Sequence, residues 1–234
     1  VDGFDLSGDV GSISTIHGGG ATLDVTGINS AANERIGGLR DGSMTFSAFM
    51  NDAAGQAHQR LKTLPTADVL VTYLRGPGIG NAAATLAAKQ ISYDGSRDNS
   101  GALTYTVDAQ ANAFGIEWGQ QLTNGIRTDS TATSPATGLD TGVSLSFGAQ
   151  AFLQVFAVTG TSVTVTLQDS ADNSAFTTIS GAVFTAATTT GGQRLALANT
   201  ATIRQYVRAI TTGTFTVASF CVQFTKNIAA GQVY

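Results

Sequence analysis

Along this chain apolar residues alternate with short polar ones far more often than they recur at helical spacing. In the stretch 43–51, Met44, Phe46, Ala48 and Met50 fall on one side, and Ser43, Thr45 and Ser47 on the other. That period of two predicts a half-buried strand. Similar runs predict strands at 23–26, 68–75, 87–93 and 102–111. Residues 1–22 are glycine-rich and read as an extended arm with at most one short strand. "YDGSRDNSG" (93–101) has the Asp, Gly, Asn and Ser of a hairpin tip. One segment changes period. Ala54, Ala57, Leu61 and Leu64 form a helical stripe, with Asn51 or Asp52 as its cap and Pro65 as its stop. His58, Gln59, Arg60 and Lys62 fall off that stripe.

Residues 123–142 lose periodicity and are rich in Thr, Ser, Gly and Pro, as linkers are. Beyond them the pattern is purely β, with strands predicted at 150–158, 162–168, 177–184, 194–198, 205–211 and 214–224. A Ser-Ala-Asp-Asn turn follows "VTVTLQD", and "TTGTF" marks a second tight turn. The expected fold is mainly β. A β-sandwich or open barrel carrying one α-helix occupies 1–125, a linker 126–142, and an antiparallel β-sandwich, Ig-like or jelly-roll-like, 143–234.

Composition narrows the function. Only 12% of residues are charged, while 42% are hydrophobic. A weakly charged surface of short side chains suits packing of copies, because little charge is desolvated. It equally suits a secreted, protease-resistant β protein. The net charge of −4 lacks the basic stripe of a phosphate-gripping protein. Thirteen acidic and eight basic residues precede residue 140, three and four lie from residue 140 onward, and this contrast supports two modules. Cys221 stands alone in an apolar run and reads as a buried thiol. No run approaches the ~20 apolar residues of a membrane span, and Val1 opens no signal peptide.

Candidate chemistry is sparse. His17 and His58 form no HxH or HExxH pattern, and both read as surface residues, His17 in a loop and His58 on the exposed flank of the helix. There is no GxSxG elbow, and "RGPGIGNAAA" lacks the rest of a nucleotide fingerprint. Asp169 and Asp172 flank a turn, where Asp serves the backbone. Trp118 lies in an apolar run with Phe114 and Ile116 and reads as core or subunit contact. No catalytic residue, metal ligand or cofactor is expected.

"LDVTGI", "ERIGGLRDGSMTFSAFMN", "AAGQAHQRL", "LVTYLRG" and "LAAKQISYDGSRDNSGALTYTVDAQANAFGIEWGQQL" together resemble major tail (tail tube) proteins of long-tailed bacteriophages, those of actinobacteriophages above all. The resemblance covers roughly 1–125. It implies a structural virion protein, not an enzyme, assembled in the host cytoplasm into the phage tail. Six subunits would form a ring, and rings would stack into a hollow tube that conducts DNA without binding it specifically. Residues 29–42 would be an intersubunit connector, with Asn33, Glu34, Arg35, Arg40 and Asp41 as its candidate contacts. Asp24, Thr45, Ser47, Thr104, Thr106, Asp108 and Gln110 would face the lumen, opposite a packed face of Leu103, Tyr105, Val107 and Ala109. Partners implied are further copies, tape measure protein and tail terminator or tip proteins. The second half resembles virion decoration modules, for which a host cell-surface glycan is a candidate ligand. A secreted or virion-associated carbohydrate-binding sandwich is the other reading. The arm, the connector and the 93–101 tip are expected to be mobile in a free monomer.

Overall fold

The computed structural model describes residues 1–64 and 67–230. Its elements in chain order are β1 (Val10–Asp24), β2 (Arg35–Phe49), α1 (Ala57–Leu61), β3 (Val69–Leu74), β4 (Ala82–Arg97), β5 (Leu103–Ala111), β6 (Glu117–Gln121), β7 (Arg127–Asp129), β8 (Leu139–Asp140), β9 (Ala149–Ser170), β10 (Thr177–Val183), β11 (Gly191–Ala196) and β12 (Tyr206–Lys226). The protein is mainly β, as the alternation predicts. It divides into two compact units that draw on separate stretches of chain. Of the described residues, one takes 1–8, 69–85 and 118–230, and the other the rest.

The first unit is built on two long strands. β9 and β12 pair antiparallel from Ala149↔Lys226 to Ser170↔Tyr206, with irregular register around Thr214 to Val217. Gly160 and Gly213 sit at that irregularity with φ of 135° and 120°. A side chain on Gly160 would meet the Phe215 backbone, and one on Gly213 the Ser162 carbonyl. Only glycine gives the ribbon this conformation without strain. The predicted strand pairs 150–158/162–168 and 205–211/214–224 are therefore single bent strands. "TTGTF" is a bend within β12, not a turn.

The bent ribbon brings both of its halves into one core. Ala151, Leu153, Val155, Phe220, Val222 and Phe224 join Val163, Val165, Leu167, Val207 and Ala209. β11 extends one half along β9 and β10 the other, while β6, β7 and β8 line β12. Residues 126–142, expected as a linker, thus lie along β12, fastened also by a bridge from Thr133 to Thr211. The alternate positions of β9 and β12 carry buried amides. Gln154 donates to Leu70 O (2.9 Å) and accepts from Gly3 N (2.7 Å), and Gln223 accepts from Thr85. Residues 1–8 are not a loose arm. Besides Gly3, Asp2 N donates to Leu70 O and Leu6 is buried.

The second unit is an open antiparallel sheet in the order β1-β2-β5-β4, with α1 on one face. Met44, Phe46, Ala48, Val107 and Ala109 are buried with Ala57 and Leu61 of α1. The helix is one turn only, since Gly55 has φ 78° and Leu64 φ 42°. Ala54 and Leu64, the outer members of the predicted stripe, are exposed. Neither Asn51 nor Asp52 caps the helix. Asp9 Oδ2 accepts from Ala57 N at 2.9 Å, and Asp9 Oδ1 accepts from Asn51 Nδ2 at 2.7 Å. The stop assigned to Pro65 lies outside the described residues.

Candidate functional site

Register decides which side chains of the second unit share a face. Phe46 pairs with Val107 and Met44 with Ala109, on the helix side. Thr45 pairs with Asp108, Ser47 with Thr106, Ser43 with Gln110 and Phe49 with Thr104. Six of the seven lumen candidates, Thr45, Ser47, Thr104, Thr106, Asp108 and Gln110, therefore share the opposite, polar side. Their side chains bond to one another and to β1. Thr45 Oγ1 donates to Asp108 Oδ1 (3.1 Å), Gln110 Nε2 to Asp108 Oδ2 (3.3 Å), and the Ser12 and Ser47 hydroxyls lie 2.9 Å apart. Sequence reasoning missed the flanks of this face. Thr15 and His17 join it from β1, and Lys89, Ser92, Asp94 and Ser96 from β4. The irregularity at Ile91 conceals the β4 alternation, putting Gln90 on the helix side and Ser92 on the polar side. His17 thus belongs to a strand.

Asp24 stands apart, at the far end of an arm. β1 and β2 are fifteen residues each and pair over their whole length. β5 covers only Ser43 to Phe49 of β2. Beyond, Gly18–Asp24 and 35–42 form a two-stranded ribbon that seven residues at about 3.3 Å each carry roughly 23 Å. The expected connector 29–42 is thus mostly strand. Arg35, Arg40 and Asp41 lie in β2, and only Asn33 and Glu34 belong to the tip. With no core face, the ribbon has little polar–apolar alternation to read beyond Leu23 and Asp24.

The arm emerges over a tight contact. A Cβ on Gly42 would lie 2.8 Å from Ile116 N, and one on its partner Gly18 2.2 Å from the Ile116 side chain. Leu23 and Ile36 pair across the ribbon, both exposed, while Leu39 and Ile28 are 91% and 109% exposed. At the tip Asp24 Oδ1 accepts from Thr26 N (2.9 Å) and Thr26 Oγ1 (2.5 Å), which holds its carboxyl below the usual range. Glu34 accepts from Ser30 Oγ at 2.9 Å.

α1 is clasped from the helix side of the sheet. Tyr93 and Tyr105 stack at 4.2 Å, and His58 Nδ1 lies 2.8 Å from the Tyr93 hydroxyl. Partial burial, with Tyr105 and Asp52 adding to it, raises the Tyr93 pKa to about 12. His58 is therefore a packing residue, not a residue of the exposed flank.

In the first unit, a groove of about 350 Å³ is lined by Ile79, Ile126, Leu139, Arg127 and Arg208, among others. Arg127 is committed. It meets both oxygens of Asp129 (2.8 and 2.7 Å) and Ala209 O (2.8 Å). Arg208 stacks on Phe176 at 3.9 Å and donates to Gln168 Oε1 from two nitrogens and to Pro135 O from the third. These acceptors are neutral, and burial lowers the Arg208 pKa. Elsewhere Asp169 bonds the backbone and guanidinium of Arg204, and Asp172 accepts from Ser174 N and Ala175 N in the turn before β10. Cys221 is buried, and Trp118, read as core or subunit contact, is half exposed and so not core. Among the described residues no three His, Cys, Asp or Glu side chains gather as metal ligands would, and no helix is long and apolar enough to cross a membrane.

No family model matches the chain, and no curated protein matches it. Among solved structures it is similar to the Dit protein of phage SPP1, described as a paradigm of the hub adsorption apparatus in phages infecting Gram-positive bacteria. The similarity spans 97% of each chain at 12% identity, with a TM-score of 0.29. At that score it assigns neither family nor function to this chain.

Proposed function

We propose that this chain is a non-catalytic structural subunit of a phage tail, whose copies form rings of six that stack into a DNA-conducting tube. The observation that carries this reading is the arm. A two-stranded ribbon and tip with exposed Leu23, Ile28, Ile36 and Leu39 buries no apolar side chain of its own. Isolated hairpins are marginal in water, and strand edges with exposed apolar residues invite a partner. β1 is moreover an edge strand of its sheet. A head-to-tail contact through such an edge closes into a ring when its rotation permits, and otherwise runs on as a filament.

The polar face suits the wall of a channel for DNA. Short hydroxyls offer no grip, and Asp94 and Asp108 repel phosphate, with Lys89 as a counterweight held by Asp68 at 2.7 Å. Tape measure protein and terminator or tip proteins are the further partners of such a tube. Negative-stain microscopy of the purified chain tests the reading. Rings or tubes with a central hole are expected. A monodisperse monomer at every concentration overturns it.

A further inference from the structure

The groove of the first unit and the tip of the arm carry complementary chemistry. Arg208 has five N–H donors, of which three are matched by Gln168 and Pro135. Two remain on its terminal nitrogens, in a guanidinium whose orientation Phe176 already fixes. Those donors suit a carboxylate oxygen. Around them stand the aliphatic walls Ile79, Ile126 and Leu139. The arm tip offers the converse. Asp24 spends only Oδ1 on Thr26, and Ile28, four residues on, is wholly exposed.

We propose that the arm tip of one copy seats in this groove of a second copy, with Asp24 Oδ2 accepting from Arg208 and Ile28 entering among Ile79, Ile126 and Leu139. The proposal rests on the self-assembly reading above and names its contact. Asp24 then has a role the lumen assignment does not give it. Thr26 orients it by donating twice to Oδ1, which leaves Oδ2 open. The apolar anchor and the charge pair divide the work, since an isolated exposed ion pair contributes little while a desolvated one beside a filled pocket contributes much. The contact is head-to-tail, because tip and groove are different surfaces, so it propagates from copy to copy.

The test is sedimentation of the full chain across a concentration series, with near-ultraviolet circular dichroism to confirm the fold. Asp24→Asn and Ile28→Ser alter exposed side chains and leave the monomer intact. Each is expected to raise the concentration needed for assembly about tenfold or more. Asp24→Arg and Arg208→Glu should each abolish assembly, and a chain carrying both should regain it. If Arg208→Glu fails to fold, the two tip variants still decide. Tip variants that assemble at the wild-type concentration overturn this contact and leave the tail reading standing. A wild-type chain that never assembles overturns both.

Discussion

Cys221 shows how completely one position can be silenced by its surroundings. Burial pushes its thiol up to about 12 from an ordinary 9.0, so the thiolate is the disfavoured form in the folded chain. The unfolded thiol ionises first. The stabilisation is therefore whole below pH 9 and is lost progressively as pH rises from 9 towards 12. A thiol reagent at pH 8 is expected to leave the native protein unmodified and to label it fully in denaturant; rapid native labelling would show an accessible thiolate. Asp9 is a second decisive residue. Asp9→Ala strips the acceptor from Ala57 N and Asn51 Nδ2, and denaturant titration should register a loss of about 1–3 kcal/mol. No loss would mean that water serves those donors equally well. The sequence shows that Cys221 is apolar in context, because its neighbours alternate. It hides Asp9, because that contact joins residues 48 apart through the fold.

At the scale of elements, alternation is legible wherever a strand has one buried face. Met44, Phe46 and Ala48 are core, and Ser43, Thr45 and Ser47 lie opposite, as the period of two requires. The same logic assembled the β2 and β5 part of the polar face, since a strand's register follows from its buried side. It fails where both faces are wet, as in Gly18–Asp24 and 35–42, and where an extra residue resets the count, as at Ile91. It fails again at Gly160 and Gly213, where glycine in a strand reads as a turn. Those two glycines make a direct prediction. Gly213→Val places a branched side chain at φ 120° against the Ser162 carbonyl, and should cost about 2 kcal/mol or more. An unchanged melting temperature would show that the ribbon relaxes around the substitution. Gly42→Val should act more locally, turning the arm at its base through Ile116 while the core of the first unit melts normally.

For the whole molecule, the central claim is that the arm is ordered by other copies. The proposed contact between tip and groove includes charge, so raising salt should weaken assembly modestly, while the aliphatic part persists. In the tube proposed above, Asp108→Lys should leave rings intact but slow genome delivery from particles that carry it, because the substituted side chain attracts phosphate. Ejection at the normal rate would take Asp108 off the channel wall. The most direct measurement is hydrogen exchange at residues 18–42, compared between a dilute monomer and the assembled state. Exchange along the ribbon and tip is expected to be fast in the monomer and slow on assembly, while Met44 to Ala48 are protected in both. Exchange in the arm that is equally fast before and after assembly would contradict it.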